Sequence, residues 1–414
     1  MPSALPGSPS PRSRAPRGPV FARVSLALAF ALLVRASWSE IVPSPPTVEA
    51  AAAFLVQAQS GAVLYEKSAF EARPPASLTK MVTALVVVDR CALDDVATVS
   101  ARAAATGGSG IGLAEGEQIA VGELLKALLL PSANDAAVCL AEHVAGSEAA
   151  FAELMNAKAA ELGAVNTHFV NASGLTADGH YSCARDLAVF GLAVRLHAGL
   201  AEIIRQPSAT VHWSSGRGEP VMNLNRLLAR CQGCDGVKTG FTTPAGRCLA
   251  ASAQRDGYSL MCVVLKSPDS WTESGALLDW GFAQPPVAVI EVHNPLSLEP
   301  ARIPSPIVQG RLHVPVGDFM QALGCKVETH DDSVIAHLGD GKLTFSSTEG
   351  LTIEGGGKRP ELAGVVWRGK TAVPASDLCR LLGLALSFDK QTLTARISPP
   401  ESAIGAGEQW PARP

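Results

Sequence analysis

Between residues 50 and 283 the period of the apolar positions changes several times, and each change marks a new element. Ala53 to Gln59 and Ala62 to Glu66 are short strand-like runs joined at Ser60-Gly61, which predicts a hairpin. From Ser77 to Asp89 the segment SLTKMVTALVVVD contains no Gly or Pro and is apolar nearly all round, the pattern of a helix buried inside a domain. Pro74 and Pro75 just before it suit a helix entry. Val121 to Leu200 is rich in Ala and Leu at helical spacing, with breaks at Pro131, at Asn171 to Gly179 and around Ser182. Strand patterns return at Cys248 to Ala253 and Tyr258 to Leu265, on either side of Arg255-Asp256-Gly257, and Thr272 to Phe282 closes with a helical pattern. Strands at both ends with helices between them predict an α/β (α+β) sandwich, one antiparallel sheet flanked by helices, over residues 40–285.

Past Gln284 the chain becomes Pro-punctuated and β-branched, so residues 286–308 are expected to be a linker. Residues 309–398 contain a repeat. Gly310 to Leu338 aligns with Gly369 to Ile397 without a gap, sharing Gly310/Gly369, Val314/Val373, Pro315/Pro374, Asp318/Asp377, Leu323/Leu382 and Gly324/Gly383. Two such copies predict a small pseudo-symmetric α+β domain, each copy a strand, a helix entered at the Asp, a helix-ending Gly and a strand hairpin. Residues 399–414 are expected to be a disordered tail.

Composition narrows the function. With 414 residues, 47% hydrophobic and 17% charged, the chain can bury more than one core. A net charge of −4 without a basic stripe excludes a nucleic-acid partner. Arg12, Arg14, Arg17 and Arg23 precede an apolar run from Val24 to Val34 that Arg35 ends, and Ser37 and Ser39 offer a cleavage site. Residues 1–39 therefore read as a signal peptide, too short in its apolar part for a comfortable membrane span, and an exported, extracytoplasmic protein is expected, secreted or associated with the cell envelope. An uncleaved anchor is the alternative. Nine cysteines leave at least one unpaired and form no disulfide framework, and Cys231 and Cys234 form a lone C-x-x-C without a second pair at metal spacing. A local disulfide or inert thiols are expected there. His313, His330 and His337 lack a ligand pattern, so neither a metal nor a cofactor is expected.

Three elements carry chemistry: Ser77-Leu78-Thr79-Lys80, then Ser132-Ala133-Asn134, then Lys238-Thr239-Gly240. Each is common alone; in this order and these settings they form one signal. Residues three apart share a helix face, so Lys80 can reach the hydroxyl of Ser77. A Lys whose pKa is lowered by an apolar surrounding can take that proton, which makes Ser77 the nucleophile and Lys80 the base. Ser132 and Asn134 follow LLKALLLP, whose Pro131 ends a helix, and project from a loop. Ser132 is expected to relay a proton to the leaving amine and Asn134 to bond the substrate; the plain alternative is a cap for the helix from Asp135 onward. Lys238 and Thr239 offer a cation and a hydroxyl to a substrate carboxylate, and Gly240 clears space beside an edge strand for a substrate backbone.

On these motifs residues 50–283 resemble the serine D-Ala-D-Ala carboxypeptidases among the low-molecular-mass penicillin-binding proteins. The likeness extends through RPPASLTKMVTAL (Arg73 to Leu85), TGGSGIGL (Thr106 to Leu113), LLLPSANDAA (Leu128 to Ala137), FVNASGL (Phe169 to Leu175), GHYSCARDLA (Gly179 to Ala188) and DGVKTGFTTPAG (Asp235 to Gly246). The resemblance implies a five-stranded antiparallel sheet of the β-lactamase/transpeptidase type. It also implies removal of the terminal D-alanine from peptidoglycan stem peptides through an acyl-enzyme, and inhibition by β-lactam antibiotics. The oxyanion hole would be the backbone N–H groups of Ser77 and Phe241. One departure matters: where many members place a carboxylate-binding Arg, seven residues before Leu277, this chain has Ser270. The C-terminal repeat looks like the stalk module named after copper amine oxidases, a name that implies no copper, and is expected to meet the cell wall or a protein partner. No E-x-x-L-N stretch lies between Asn134 and Lys238, which argues against a β-lactamase. A D,D-endopeptidase and a catalytically idle wall-binding protein are the remaining alternatives.

Overall fold

The computed structural model describes residues 44–293, 299–330, 333–338, 341–346, 350–353, 357–359, 365–368 and 370–398. The expected signal peptide and the expected tail lie outside the described residues. Nine strands belong to the first unit: β1 (Ala52–Gln57), β2 (Val63–Lys67), β3 (Val96–Thr98), β4 (Gln118–Ala120), β5 (Ser208–His212), β6 (Gly218–Met222), β7 (Cys234–Thr242), β8 (Gly246–Arg255) and β9 (Tyr258–Ser267). Five of them form an antiparallel sheet in the order β2-β1-β9-β8-β7, which leaves β7 at an edge. The other four make two small antiparallel ribbons, β3 with β4 and β5 with β6.

Strand alternation gives this sheet two cores. Along β1, Ala52, Phe54 and Val56 enter the helical core, whereas Ala53 and Leu55 enter a second cluster with Leu277 and Leu278. The first core holds the helix Lys80–Arg90, whose Met81, Val82, Ala84 and Val87 are fully buried, which explains its all-round apolar sequence. Burying a side chain of this size contributes about 1.5–3 kcal/mol, so tertiary packing holds this helix in place. The second face is covered by the helix Ser270–Ala283, which the side chain of Asp269 caps at Trp271 and Thr272. It lies so close that a Cβ on Gly281 would stand 2.7 Å from Leu260 Cδ1.

The expected linker is a pair of strands. β10 (Val287–Val292) and β11 (Ala301–Val308) pair antiparallel within a second, seven-stranded sheet. Pro304 and Pro306 suggested irregular chain, but β11 meets its other neighbour, β12 (Arg311–Pro315), only from Ile307 onward, so both prolines sit where one side of the strand needs no donor. The repeat then appears twice. β12, the helix Val316–Ala322, β13 (Lys326–Thr329) and β14 (Ser333–Leu338) make one copy. After β15 (Gly341–Ser346), β16 (Gly350–Ile353), β17 (Gly357–Arg359) and β18 (Val365–Trp367), the second copy is β19 (Lys370–Pro374), the helix Ala375–Leu381, β20 (Ala385–Asp389) and β21 (Thr394–Ser398). Gly324 and Gly383, just past the two helices, have φ of 85° and 66°, which a glycine adopts without strain. Both helices start at the residue after Pro315 or Pro374, with the Asp in the first turn rather than at the entry.

The two copies are related by a local twofold. β12 and β19 pair antiparallel with the equivalent residues Val314 and Val373 opposite one another. Two ion pairs repeat across that axis, Arg311 to Asp377 at 2.5 Å and Lys370 to Asp318 at 2.7 Å.

This second unit is docked onto the first. Gln57 donates to Val287 O at 2.9 Å and accepts from Val287 N at 3.0 Å, and Val287, Val289 and Trp367 complete the cluster beneath the Ser270–Ala283 helix. Arg368 donates to the carbonyls of Val63 and Leu64, at 2.9 and 3.1 Å, on edge strand β2. A chain ending at Gln284 is therefore expected to melt at least about 2–4 °C below the full chain, the shift for a loss of 1 kcal/mol in a domain of this size. Calorimetry on the two proteins checks this, and equal melting temperatures would show that the junction adds no stability.

Candidate active site

Ser77 sits in a single tight turn, Ala76–Thr79, that precedes the helix Lys80–Arg90. The helix expected from Ser77 thus begins one turn later. Ala76 has φ of 49°, left-handed for a residue with a Cβ, a strain on the order of 1–3 kcal/mol that its surroundings must hold. Thr79 Oγ1 donates to Ala76 O at 2.9 Å, and His180 Nε2 lies 2.9 Å from the same hydroxyl. Because Val170 N–H donates to His180 Nδ1, the ring proton is on Nε2 and is donated to Thr79. Gly174 closes over this turn, where a Cβ would stand 1.9 Å from Ala76 O.

Burial, and secondarily His168, push the pKa of His180 down to about 4. The folded value lies below the unfolded one, so the unfolded chain binds the extra proton and stability falls as pH drops from about 6.5 to 4. The full loss is on the order of 3 kcal/mol. His180→Gln should flatten the melting temperature between those pH values, and an unchanged slope would remove His180 as its source.

Lys80 is fully buried, and its amine lies 3.1 Å from Ser77 Oγ, 2.7 Å from Asn134 Oδ1 and 2.6 Å from Ser173 O. Burial holds its pKa well below the ordinary lysine value, and the nearby Lys238 lowers it further against the pull of Asp135. A neutral amine has two N–H bonds and one lone pair. When the amine is neutral, Asn134 Oδ1 and Ser173 O, which can only accept, take its two N–H bonds and the lone pair faces the Ser77 hydroxyl. That arrangement makes Lys80 an acceptor for the serine proton.

Ser132 and Asn134 come from the loop after Pro131. Ser132 has φ of 66° and lines the same cavity as Ser77, and its buried Oγ has no hydrogen-bond partner. An unpaired buried hydroxyl costs roughly 1–3 kcal/mol, a cost consistent with a group held ready for an incoming ligand. Asn134, expected to bond the substrate, accepts from Lys80 at Oδ1 and donates through Nδ2 to Gly107 O at 2.9 Å, which leaves its second N–H and one Oδ1 lone pair for a ligand. Asp135 fixes the loop from Thr106 to Leu113 by accepting from Ile111 N at 3.0 Å and Leu113 N at 3.2 Å. Gly110 is needed there, since a Cβ would stand 2.8 Å from Asp135 Oδ2.

Lys238, Thr239, Gly240 and Phe241 lie on edge strand β7. Thr239, Gly240 and Phe241 line the cavity of about 480 Å³ that contains Ser77. A Cβ on Gly240 would stand 3.1 Å from the backbone N of Ser77, so the glycine clears the nucleophile's own N–H as well as the cleft. Lys238 does not present its charge to that cavity. It is 1% exposed, its amine donates to Thr239 O at 3.1 Å, and burial lowers its pKa to about 7. The cations lining the cavity are Arg226 and Arg247. Arg247 stands opposite Phe241 on β8 and donates through Nη1 to Pro268 O at 3.1 Å. Ser270, 1% exposed, also lines the cavity. All nine cysteines are free thiols, including Cys231 and Cys234, whose pKa values burial raises.

Sequence reasoning passed over His180, Asp135 and Arg247. Their signals were present as neighbours of quoted motifs, in GHYS, SAND and AGRC, but their partners lie far along the chain.

The family model of D-alanyl-D-alanine carboxypeptidases (peptidase S11) matches residues 39–269. DacF of Bacillus subtilis, a D-alanyl-D-alanine carboxypeptidase, is 36% identical over 244 residues, covering 57% of this chain and 63% of the relative. DacC of Escherichia coli, of the same description, is 40% identical over 252 residues, covering 57% and 62%. This chain thus spans less than two thirds of the length of these relatives. Among solved structures, the DD-transpeptidase of Streptomyces K15 has a TM-score of 0.56 at 29% identity, covering 58% of this chain and 100% of that one. The D-alanyl-D-alanine carboxypeptidase of Mycobacterium tuberculosis gives 0.56 at 31%, covering 63% and 98%. With a serine–lysine pair, a sheet and a cleft of this kind in the matched region, the chain belongs to the D-alanyl-D-alanine carboxypeptidase family.

Proposed function

We propose that this chain is an exported, extracytoplasmic serine D,D-carboxypeptidase that removes the terminal D-alanine from peptidoglycan stem peptides. The observation that carries the reading is the buried Lys80 amine, 3.1 Å from Ser77 Oγ and anchored on Asn134 Oδ1 and Ser173 O. Lys80 takes the Ser77 proton as Oγ attacks the carbonyl of the penultimate D-alanine. The backbone N–H groups of Ser77 and Phe241 hold the oxyanion, beside the space that Gly240 keeps open. Ser132, whose hydroxyl is unpaired, passes the proton to the leaving amine, and D-alanine departs. Water then cleaves the ester and restores Ser77. Penicillin acylates the same serine.

The terminal carboxylate is held by the Thr239 hydroxyl and the Arg247 guanidinium, the groups of suitable type that line the cleft near Phe241. Lys238, buried and turned to Thr239 O, acts instead on Lys80 by lowering its pKa. The C-terminal unit, of the stalk kind, positions the enzyme at the wall or against a protein partner. Incubation of the purified protein with muropeptides tests the whole reading. Free D-alanine is the expected product; cleaved cross-linked dimers without it would make the enzyme an endopeptidase, and no product of either kind would leave a wall-binding protein.

A further inference from the structure

The helices Lys80–Arg90 and Asn134–Ala145 begin at the active site, where their first residues are hydrogen-bonded to each other. Their far ends meet again about 16 Å away, at a helix rise of 1.5 Å per residue. Cys91 follows the last residue of the first helix, and its N–H bonds to Val87 O at 2.9 Å. His143 is in the last turn of the second. Between them comes Asp95, in a loop fixed by its own turn: Ala92 N donates to Asp95 Oδ2 at 2.9 Å and Asp95 N to Ala92 O at 3.2 Å. Val121 N and Gly122 N hold the same loop from outside, through the carbonyls of Asp95 and Leu93, each at 2.8 Å. One ligand atom from each of Cys91, Asp95 and His143 lies within 4.8 Å of the other two, and among the described residues this is the one such group of three.

We propose that Cys91, Asp95 and His143 form a three-ligand site for a divalent transition-metal ion of the zinc class, which ties together the far ends of the two helices that carry Lys80 and Asn134. The donor set is mixed. A thiolate, an imidazole and a carboxylate are the ligands zinc takes, whereas an all-oxygen cluster would suit calcium or magnesium. Tetrahedral zinc separates its ligand atoms by about 3.3–3.8 Å, given its bond lengths to sulfur, nitrogen and oxygen. The ligand atoms therefore need to close by no more than about 1.5 Å, which rotation at the half-buried Cys91 and the exposed Asp95 and His143 supplies. Binding releases the thiol proton to solvent and leaves the fourth position to water.

The test uses the full chain, dialysed against a chelator and titrated with cobalt chloride, then with zinc chloride. One equivalent of cobalt should produce a thiolate-to-cobalt absorption band that zinc abolishes, and zinc should raise the melting temperature. Cys91→Ser should remove the band. His143→Ala should weaken cobalt binding by more than the roughly 10–100-fold that loss of even an outer partner costs. Absence of a thiolate band at one equivalent, or its persistence in Cys91→Ser, would overturn the site; persistence would locate the metal at another thiol. Because none of these readouts involves turnover, failure here is independent of the proposed peptidase activity.

Discussion

Ser77→Ala is expected to abolish covalent labelling by penicillin, and Lys80→Ala to slow it by about 10²–10⁴-fold, the usual worth of a general base. In the first variant the nucleophile is gone while Lys80 keeps Asn134 and Ser173, so the fold should persist. In the second, two buried acceptors lose their donor, and some stability should go with the activity. The melting temperature of each variant therefore accompanies the labelling rate. Intact-mass and peptide mapping should place the wild-type adduct on Ser77. The acylation rate of the wild type should also fall as pH is lowered, because protonating Lys80 removes the lone pair that faces Ser77, and its lowered pKa moves that fall toward neutrality. Normal labelling in a folded Ser77→Ala or Lys80→Ala protein would end the assignment.

What could be read in advance, and what could not, follows from how each role is specified. The Ser77–Lys80 pair was legible because a spacing of three on one helical face is a local fact, unchanged by the tight turn that replaces the first helical turn. The edge position of β7 followed from Gly240 and the motif around it. Depth did not. Strand alternation says which face Lys238 occupies but not that its amine is buried and donates to Thr239 O. Asn134 is a similar case: the motif offers it to a substrate, but its partners in the fold, Lys80 and Gly107, come from distant segments. His180 and Asp135 support loops whose closure is tertiary, and no period in the sequence reports that. The linker failed for another reason. Pro304 and Pro306 are strand breakers only where both sides of a strand are paired, and strand neighbours are a property of topology.

Arg247→Gln is expected to lower kcat/KM for peptides ending in free D-Ala-D-Ala by about tenfold or more, while amidated analogues change by less than about twofold. At position 270, where the resemblance leads one to expect an Arg as in many members of the family, this chain has the small buried hydroxyl of Ser270. Restoring Arg at 270 would force a long charged side chain into a site that is 1% exposed, an overpacking cost on the order of 1–3 kcal/mol. Arg247 needs no such room. Its Nη1 is anchored on Pro268 O, which aims the guanidinium along the cleft wall opposite Phe241. A hydrogen bond to a charged group contributes about 1.5–3 kcal/mol where water is displaced, and because Arg247 is exposed before substrate arrives, the lower end of that range applies. Thr239→Val should show the same preference through loss of one donated bond. Free and amidated peptides separate the two possible roles of Arg247: a carboxylate partner affects the first alone, whereas a residue that merely holds β8 against Pro268 affects both equally. Equal losses would remove Arg247 from the carboxylate site and leave Arg226, on the same cavity, as its cation.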